Sequence, residues 1–393
     1  MGEGWGFSSF YTYQVMIAIR FFLVFIFLIF PELSSGKPIR ALWVVRNYIT
    51  APQSVDEVFA AAVQGRFTDL FVQVRGRGDA YYQSDFVPPS QELQHNFDPL
   101  DRCLKLGRQY GIRVHAWINV YLVWSSESPP VSAKHPVRAH PEWLAQNPYV
   151  AANSSQSTSN YHILPGTEGL YLSPGNPEAR AYLVRVVTEL AEKYPLDGIH
   201  FDYIRYPNRD FDYSYTMRQQ FYAYSGVDPY VLFTRPQEVS RYYGNQGFRQ
   251  VEQVWGQFRQ EQVTAFLRDV RKSLPRRMPP FLLSAAVKPQ PELSRQNFYQ
   301  NWAAWLNERL IDLAVPMNYS PSLEDFAENV SASLKEIPAD RLCVGIAIYN
   351  QSKYRVLSKI YKLRSLGVYN FSLFSYEGLR NNPDLLMFLA NLP

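Results

Sequence analysis

Leu196-Asp-Gly-Ile-His-Phe-Asp-Tyr-Ile-Arg-Tyr-Pro207 alternates bulky apolar residues with other side chains at period two. The alternation predicts a strand with Ile199, Phe201 and Tyr203 on one face and His200, Asp202 and Ile204 on the other. The bulkier face has to meet covering helices, which turns His200 and Asp202 inward. A carboxyl group inside a parallel barrel, near the C-terminal end of its strand, stands where barrel enzymes carry their catalytic groups. It must be ionised beside a cation or serve as an acid, and a purely structural ion pair with Arg205 or Arg75 is the competing reading.

Outward from this strand, β-branched and aromatic runs alternate with amphipathic stretches from Arg40 onward. The predicted strands are Ala41–Ile49, Asp69–Arg75, Ile112–Val120, Gly198–Ile204, Phe281–Lys288, Ile311–Tyr319, Leu342–Tyr349 and Val368–Tyr376. Helical patterns lie between them. Ser54 with Glu57 makes a capping box for a helix running to Phe67, and Asn176 followed by Pro177 starts another that reaches Tyr194. Eight such units predict an α/β fold, a single (β/α)8 TIM barrel over residues 37–393, which suits a chain of 393 residues that is 47% hydrophobic. Two insertions, Ser125 to Asn176 and Asn208 to about Gln250, follow the third and fourth strands and are expected to wall a cleft.

Residues 1–36 read as a cleaved signal peptide: Arg20 precedes the apolar run Phe21 to Phe30, and the small residues Ser34 and Gly36 place the cut before Lys37. The apolar stretch from Val15 is interrupted by Arg20 and falls short of the roughly 20 residues of a membrane span. Met16 opens a more ordinary signal than Met1 and is the expected initiator. Cleavage removes Glu3, Glu32 and Arg20, so the formal net charge rises from +4 to +5, which suits an anionic polymer outside the membrane. No Lys/Arg-rich run interleaved with aromatics is present, which argues against nucleic acid. Cys103 and Cys343 read as two buried thiols rather than a disulfide. The six histidines show no metal-ligand spacing, and phosphate-binding loops and a GxSxG elbow are absent, so neither metal nor cofactor is expected.

What remains is carboxylate chemistry in an aromatic cleft. Alternation places Gln73 and Arg75 inside, ahead of the loop Gly76-Arg-Gly78; Arg75 is expected to clamp Asp202 or to touch substrate, and Arg77 to touch substrate or solvent. The third strand sets His115, Trp117 and Asn119 on one face, a wall for a sugar subsite. Tyr81, Tyr82, Tyr121, Trp124, Trp143, Tyr203, Tyr206 and Tyr319 fall in strand ends or inserted loops, where flat rings suit pyranose faces. Glycoside hydrolysis normally uses two carboxyl groups. Asp202 supplies one, and Glu377, at the end of the eighth strand, is the expected second, with Asp79, Glu127 and Glu292 as competitors.

Arg40-Ala-Leu-Trp-Val44, Val72-Gln-Val-Arg75, Val114-His-Ala-Trp-Ile-Asn119, Leu172-Ser-Pro-Gly-Asn176, Asp197 through Pro207, Val315-Pro-Met-Asn-Tyr319 and Phe374-Ser-Tyr376 together resemble the glycosyl-hydrolase-like family 10. The resemblance implies a (β/α)8 barrel in an exported or envelope-bound bacterial protein that cleaves cell-wall glycan, particularly strands stripped of stem peptides. It maps the signature aspartate onto Asp202 and the following arginine onto Arg205, with His200, Tyr206, Asn318, Tyr319 and Tyr376 joining the expected substrate-binding residues. Val287-Lys-Pro-Gln-Pro-Glu292 departs from the Pro-Phe-Gly pattern of many members. The lactyl carboxylate of a peptide-free muramic acid would give Arg75, Arg77 or Arg205 an anionic partner. A non-catalytic glycan-binding barrel and a lytic transglycosylase are the alternative functions.

Overall fold

Short runs of Val, Ile, Leu and aromatic residues, each too apolar to face water on either side, pair in parallel in the computed structural model. It describes residues 37–152, 163–274 and 281–392. The expected signal peptide with its Met16 start and the polar stretch at 153–160 lie outside the described residues. The strands are β1 (Arg40–Val44), β2 (Asp69–Arg75), β3 (Arg113–Asn119), β4 (Leu122–Trp124), β5 (Leu170–Tyr171), β6 (Gly198–Asp202), β7 (Leu282–Val287), β8 (Leu313–Pro316), β9 (Val344–Ala347) and β10 (Phe371–Phe374). Eight of them form one parallel sheet in the order β8-β7-β6-β3-β2-β1-β10-β9, and the pair β4-β5 forms a small antiparallel sheet. The two ends of the large sheet meet through bridges between Ala314 and Leu342 and between Met317 and Gly345, which closes the barrel. All eight predicted strands are present. β2 has the predicted bounds; the other seven are shorter, and the residues that leave the ladder at their C-terminal ends build the loops of that face.

Helices cover the barrel. Asn176 caps the helix Pro177–Lys193 by accepting from the amides of Glu178 and Ala179. The helix Pro52–Gln64 starts earlier than expected: Ser54 is its third residue and accepts from the amide of Ala51 rather than serving as the cap itself. Cys103 and Cys343 are both buried and free. Among the described residues, no helix is long and apolar enough to cross a membrane.

The lower interior is plugged. His115 Nε2 lies 2.7 Å from Asp69 Oδ1, and Arg113 donates to Asp69 Oδ2 at 2.9 Å. Burial works against the Asp69 charge, but His115 and Arg113 outweigh it and hold the carboxyl below its ordinary pKa. Above this pair, His200 stacks on Phe71 at 4.2 Å and meets the edge of Trp43 at 4.5 Å, with Nδ1 2.8 Å from Ser284 Oγ. Burial, with His115 nearby, pushes the His200 pKa well down and keeps the ring neutral. Gly198 is required here, since a Cβ would stand 2.3 Å from His115 Nδ1.

One register shift redirects a predicted residue. Gln73 pairs with Trp117 but Arg75 pairs with Ile118, so β2 carries a bulge between them. The bulge inverts the parity of Arg75, which therefore leaves the barrel interior. The second insertion also departs from expectation: its helices Tyr215–Ser225, Tyr230–Thr234 and Pro236–Ser273 gather around their own core of Met217, Phe221, Leu232, Val239 and Trp255.

Candidate active site

A cavity of about 500 Å³ opens at the C-terminal end of the barrel. Its base comes from interior positions of the strands: Trp43 on β1, Gln73 on β2, Trp117 and Asn119 on β3, Asp202 on β6 and Phe374 on β10. The following loops raise its walls, with Arg46, Arg77, Glu168, Tyr203, Arg205, Lys288 and Tyr319 at the surface. No residue of the second insertion lines it. The first does, because pairing of β4 with β5 folds the chain back over the barrel mouth and sets Glu168 at the rim.

Asp202 is 6% exposed. Burial raises its carboxyl pKa to about 6, against the opposing pull of the Tyr203 amide, Arg205, Trp117 and Lys288. The Tyr203 amide donates to Asp202 Oδ1 at 2.7 Å. Tyr203 adopts a left-handed φ of 49°, a conformation disfavoured for a side chain of this size. The turn breaks the strand's alternation after Asp202: Tyr203 enters the cavity, whereas Ile204 and Tyr206 join the outer core. A carboxyl group with a pKa near 6 holds its proton in mildly acidic solution and can donate it to a leaving oxygen.

Glu168 supplies the second carboxyl group of the cavity. It pairs with Arg205 at 2.6 Å and accepts from the Tyr171 hydroxyl at 2.8 Å. Burial opposes its charge, but Arg205 and Tyr171 hold it below the ordinary carboxylate range. Arg205 is itself fixed: it donates to the carbonyls of Tyr206 and Pro207 and lies 5.0 Å from the Tyr203 ring. One protonatable acid and one persistent anion thus share the cleft.

Of the residues expected from the sequence, Asp202, Arg77, Trp117, Asn119, Arg205 and Tyr319 meet in this cavity. Asn119 accepts from Gln73 and donates to the Gly76 carbonyl, tying the second loop to the third strand. The other expected residues stand elsewhere. Glu377 is exposed on the first turn of the helix Tyr376–Arg380 beside Tyr48 and lines a separate depression; β10 stops at Phe374, so strand parity never reaches it. Arg75 is fully buried, neither clamps Asp202 nor enters the cavity, and donates instead to the carbonyls of Asn119 and Val120. His115 and His200 belong to the plug below the cavity. Tyr206 and Tyr376 are enclosed in packing against Tyr299 and Tyr48. Asn318 is buried and spends its amide on the Phe326 carbonyl and Asn329. Glu127 is exposed, Glu292 pairs with Arg295, and Asp79 accepts from the Arg77 amide. Among the aromatics, Tyr81, Tyr82, Tyr121 and Trp143 are core residues.

Sequence reasoning missed Glu168, Arg46, Gln73 as a cavity residue, and Lys288. The accessible signal for Glu168 was its place, one glycine ahead of the short apolar run Leu170-Tyr171-Leu172, which marks a return of the inserted loop to the barrel. Among the described residues, Arg46, Arg77 and Lys288 have no carboxylate at ion-pair distance, so the cavity carries more positive than negative charge. No cluster of three metal-ligating acidic, His or Cys side chains occurs among the described residues.

The solved glycoside hydrolase domain of PgaB (BpsB) from Bordetella bronchiseptica superposes with a TM-score of 0.64 at 16% identity, covering 90% of this chain and 98% of that one. In sequence, the chain is 30% identical over 146 residues to glycosyl hydrolase YngK of Bacillus subtilis, and 30% identical over 156 residues to glycosyl hydrolase DigH of Escherichia coli. These alignments take in 35% and 37% of this chain but only 25% and 31% of the relatives' own length. The model of the glycosyl hydrolase-like 10 family matches residues 38–362, nearly the whole barrel and every loop of the cavity up to Tyr319. With that match laid over a barrel whose cleft holds a buried acid beside a paired carboxylate, the chain belongs to the glycosyl hydrolase-like 10 family.

Proposed function

We propose that this protein is an exported enzyme that hydrolyses glycosidic bonds in peptidoglycan-type glycan of the bacterial envelope, on strands stripped of stem peptides. The observation that carries the reading is Asp202, a buried carboxyl group with a pKa near 6 at the base of an aromatic cleft. Protonated Asp202 donates to the glycosidic oxygen as the bond to the anomeric carbon breaks, and positive charge builds on that carbon and the ring oxygen. Glu168, kept ionised by Arg205, faces that charge. A water molecule then adds its oxygen to the anomeric carbon and returns a proton to Asp202, which restores the acid. Tyr203, Tyr319 and Phe374, the partly exposed rings of the cavity, offer faces to the C–H groups of the sugars, over a floor closed by Trp43 and Trp117. The excess of cations in the cleft supports an anionic polymer as substrate. Family membership supports the reaction class.

The test is mass spectrometry of products released from peptide-free wall glycan by the mature protein and by Asp202→Asn. New reducing-end oligosaccharides, lost in the folded variant, are expected. Binding without release by either protein would replace the hydrolase with a glycan-binding barrel, and anhydro-sugar ends would replace hydrolysis with lytic cleavage.

A further inference from the structure

Arg77 sits between two glycines, and each glycine is needed for a contact. A Cβ on Gly76 would stand 2.6 Å from Nη1 of Arg46, and a Cβ on Gly78, whose φ is 77°, would stand 2.6 Å from Nε2 of His135. The first glycine therefore lets the Arg46 side chain lie across the loop. The second lets His135, 2% exposed, reach the Arg77 carbonyl at 2.6 Å. Arg77 is also held from its other end, where its amide donates to Asp79 Oδ1 at 3.0 Å. Arg46 is aimed by Gln73, whose Oε1 accepts from Nη1 at 3.0 Å. Two guanidinium groups are thus brought to one loop on a fixed backbone.

Both groups line the Asp202 cavity, and both also line a second cavity of about 450 Å³ that runs beside it to Trp124 and His135. Among the described residues neither guanidinium has a carboxylate at ion-pair distance, and the Arg77 Nε is buried without a hydrogen-bond partner. The second cavity also holds two acids, Asp79, which accepts from the Arg77 amide, and Glu92, which accepts from the Tyr81 hydroxyl at 2.6 Å, and neither lies at ion-pair distance from the two guanidinium groups. Two guanidinium groups that line one junction without an ion-pair partner favour an anion placed within reach of both. Planar guanidinium groups match a carboxylate in a forked geometry.

We infer that Arg77 and Arg46 form a carboxylate-reading subsite at the junction of the two cavities, which makes the protein selective for glycans whose sugars carry a free carboxylate. The inference rests on the cavity being a glycan site. It assigns the acid-reading role to these two residues and not to Arg75, which faces the outer layer, or to Arg205, which is already neutralised by Glu168.

Titration calorimetry on the Asp202→Asn protein tests it with two probes: peptide-free wall-glycan fragments bearing lactyl carboxylates, and the same fragments with those carboxylates reduced to alcohols. The acid form is expected to bind roughly tenfold more tightly, the scale of one charge-assisted hydrogen bond. Adding Arg77→Gln should bring the ratio close to one, and Arg77→Lys should keep part of it. Equal binding of both probes by Asp202→Asn, or equal weakening of both by Arg77→Gln, would overturn the inference. Because no turnover is involved, acid-selective binding by a protein that cleaves nothing upholds the subsite and removes the hydrolase. Cleavage without any acid preference does the reverse.

Discussion

Replacing Asp202 by Asn should make the protein more stable at neutral pH while removing its activity. Burial lifts the carboxyl pKa from its ordinary 3.8 to about 6, so the folded chain binds this proton more tightly than the unfolded chain does. The stabilisation that comes with the proton is complete below pH 3.8 and is lost as pH rises through about 6. At about 1.36 kcal/mol for each pH unit, the interval amounts to about 3 kcal/mol by pH 7.5. Asn is neutral throughout and can still accept from the Tyr203 amide, so the variant escapes that loss. Urea unfolding of both proteins at pH 4.5, 5.5, 6.5 and 7.5 measures the difference. It should be about 1 kcal/mol at pH 4.5, widen most steeply around pH 5, midway between the two pKa values, and level off at about 3 kcal/mol above pH 6.5. A difference that ignores pH, or a variant less stable at pH 7.5 than at pH 4.5 relative to the parent, would show that the site does not disfavour the charge.

Turnover of wall glycan should fall as pH rises through about 6, because the leaving oxygen needs the protonated Asp202; a plateau persisting to pH 8 in the kcat profile would remove Asp202 as the acid. Glu168→Gln leaves Arg205 enclosed without its carboxylate, and should cost about 2 kcal/mol in unfolding experiments, since Glu168 is partly exposed, together with at least a hundredfold in kcat. His115→Ala breaks the Asp69 pair beneath the cavity and should lower stability by about 3 kcal/mol while kcat/KM of the folded fraction stays within about threefold. Glu377→Gln should leave kcat within about twofold, since its carboxylate stands in a separate depression; a large loss would reinstate it beside Asp202.

The barrel was legible because alternation and chain rhythm are local properties. Period two in Gly198–Asp202 placed Asp202 inward from twelve quoted residues, and the strands on either side announced themselves in the same way. Parity fails where the backbone changes its local geometry. The bulge after Gln73 turned Arg75 out of the barrel, the left-handed Tyr203 sent Tyr206 into the outer core, and the end of β10 at Phe374 stranded Glu377. None of these three events leaves a mark in the residue types. Glu168 was hidden for a different reason: it reaches the cavity through the pairing of β4 with β5, a contact between segments far apart in the chain. His115 and His200 were legible as inward-facing but not by height, and height within the barrel separates a plug from a binding wall.

The stacked plug of His200, Phe71 and Trp43 above the Asp69–His115 pair makes the barrel a blind cup. Whatever enters by the mouth must also leave by it. On the proposed reaction, a cleaved fragment resting on the aromatic base would block the next strand until it dissociates, and short products held at that base should compete with substrate. Release of the fragment then competes with bond breaking as the slow step of that reaction, and loops at the rim are the elements through which it could be tuned without disturbing the acid below.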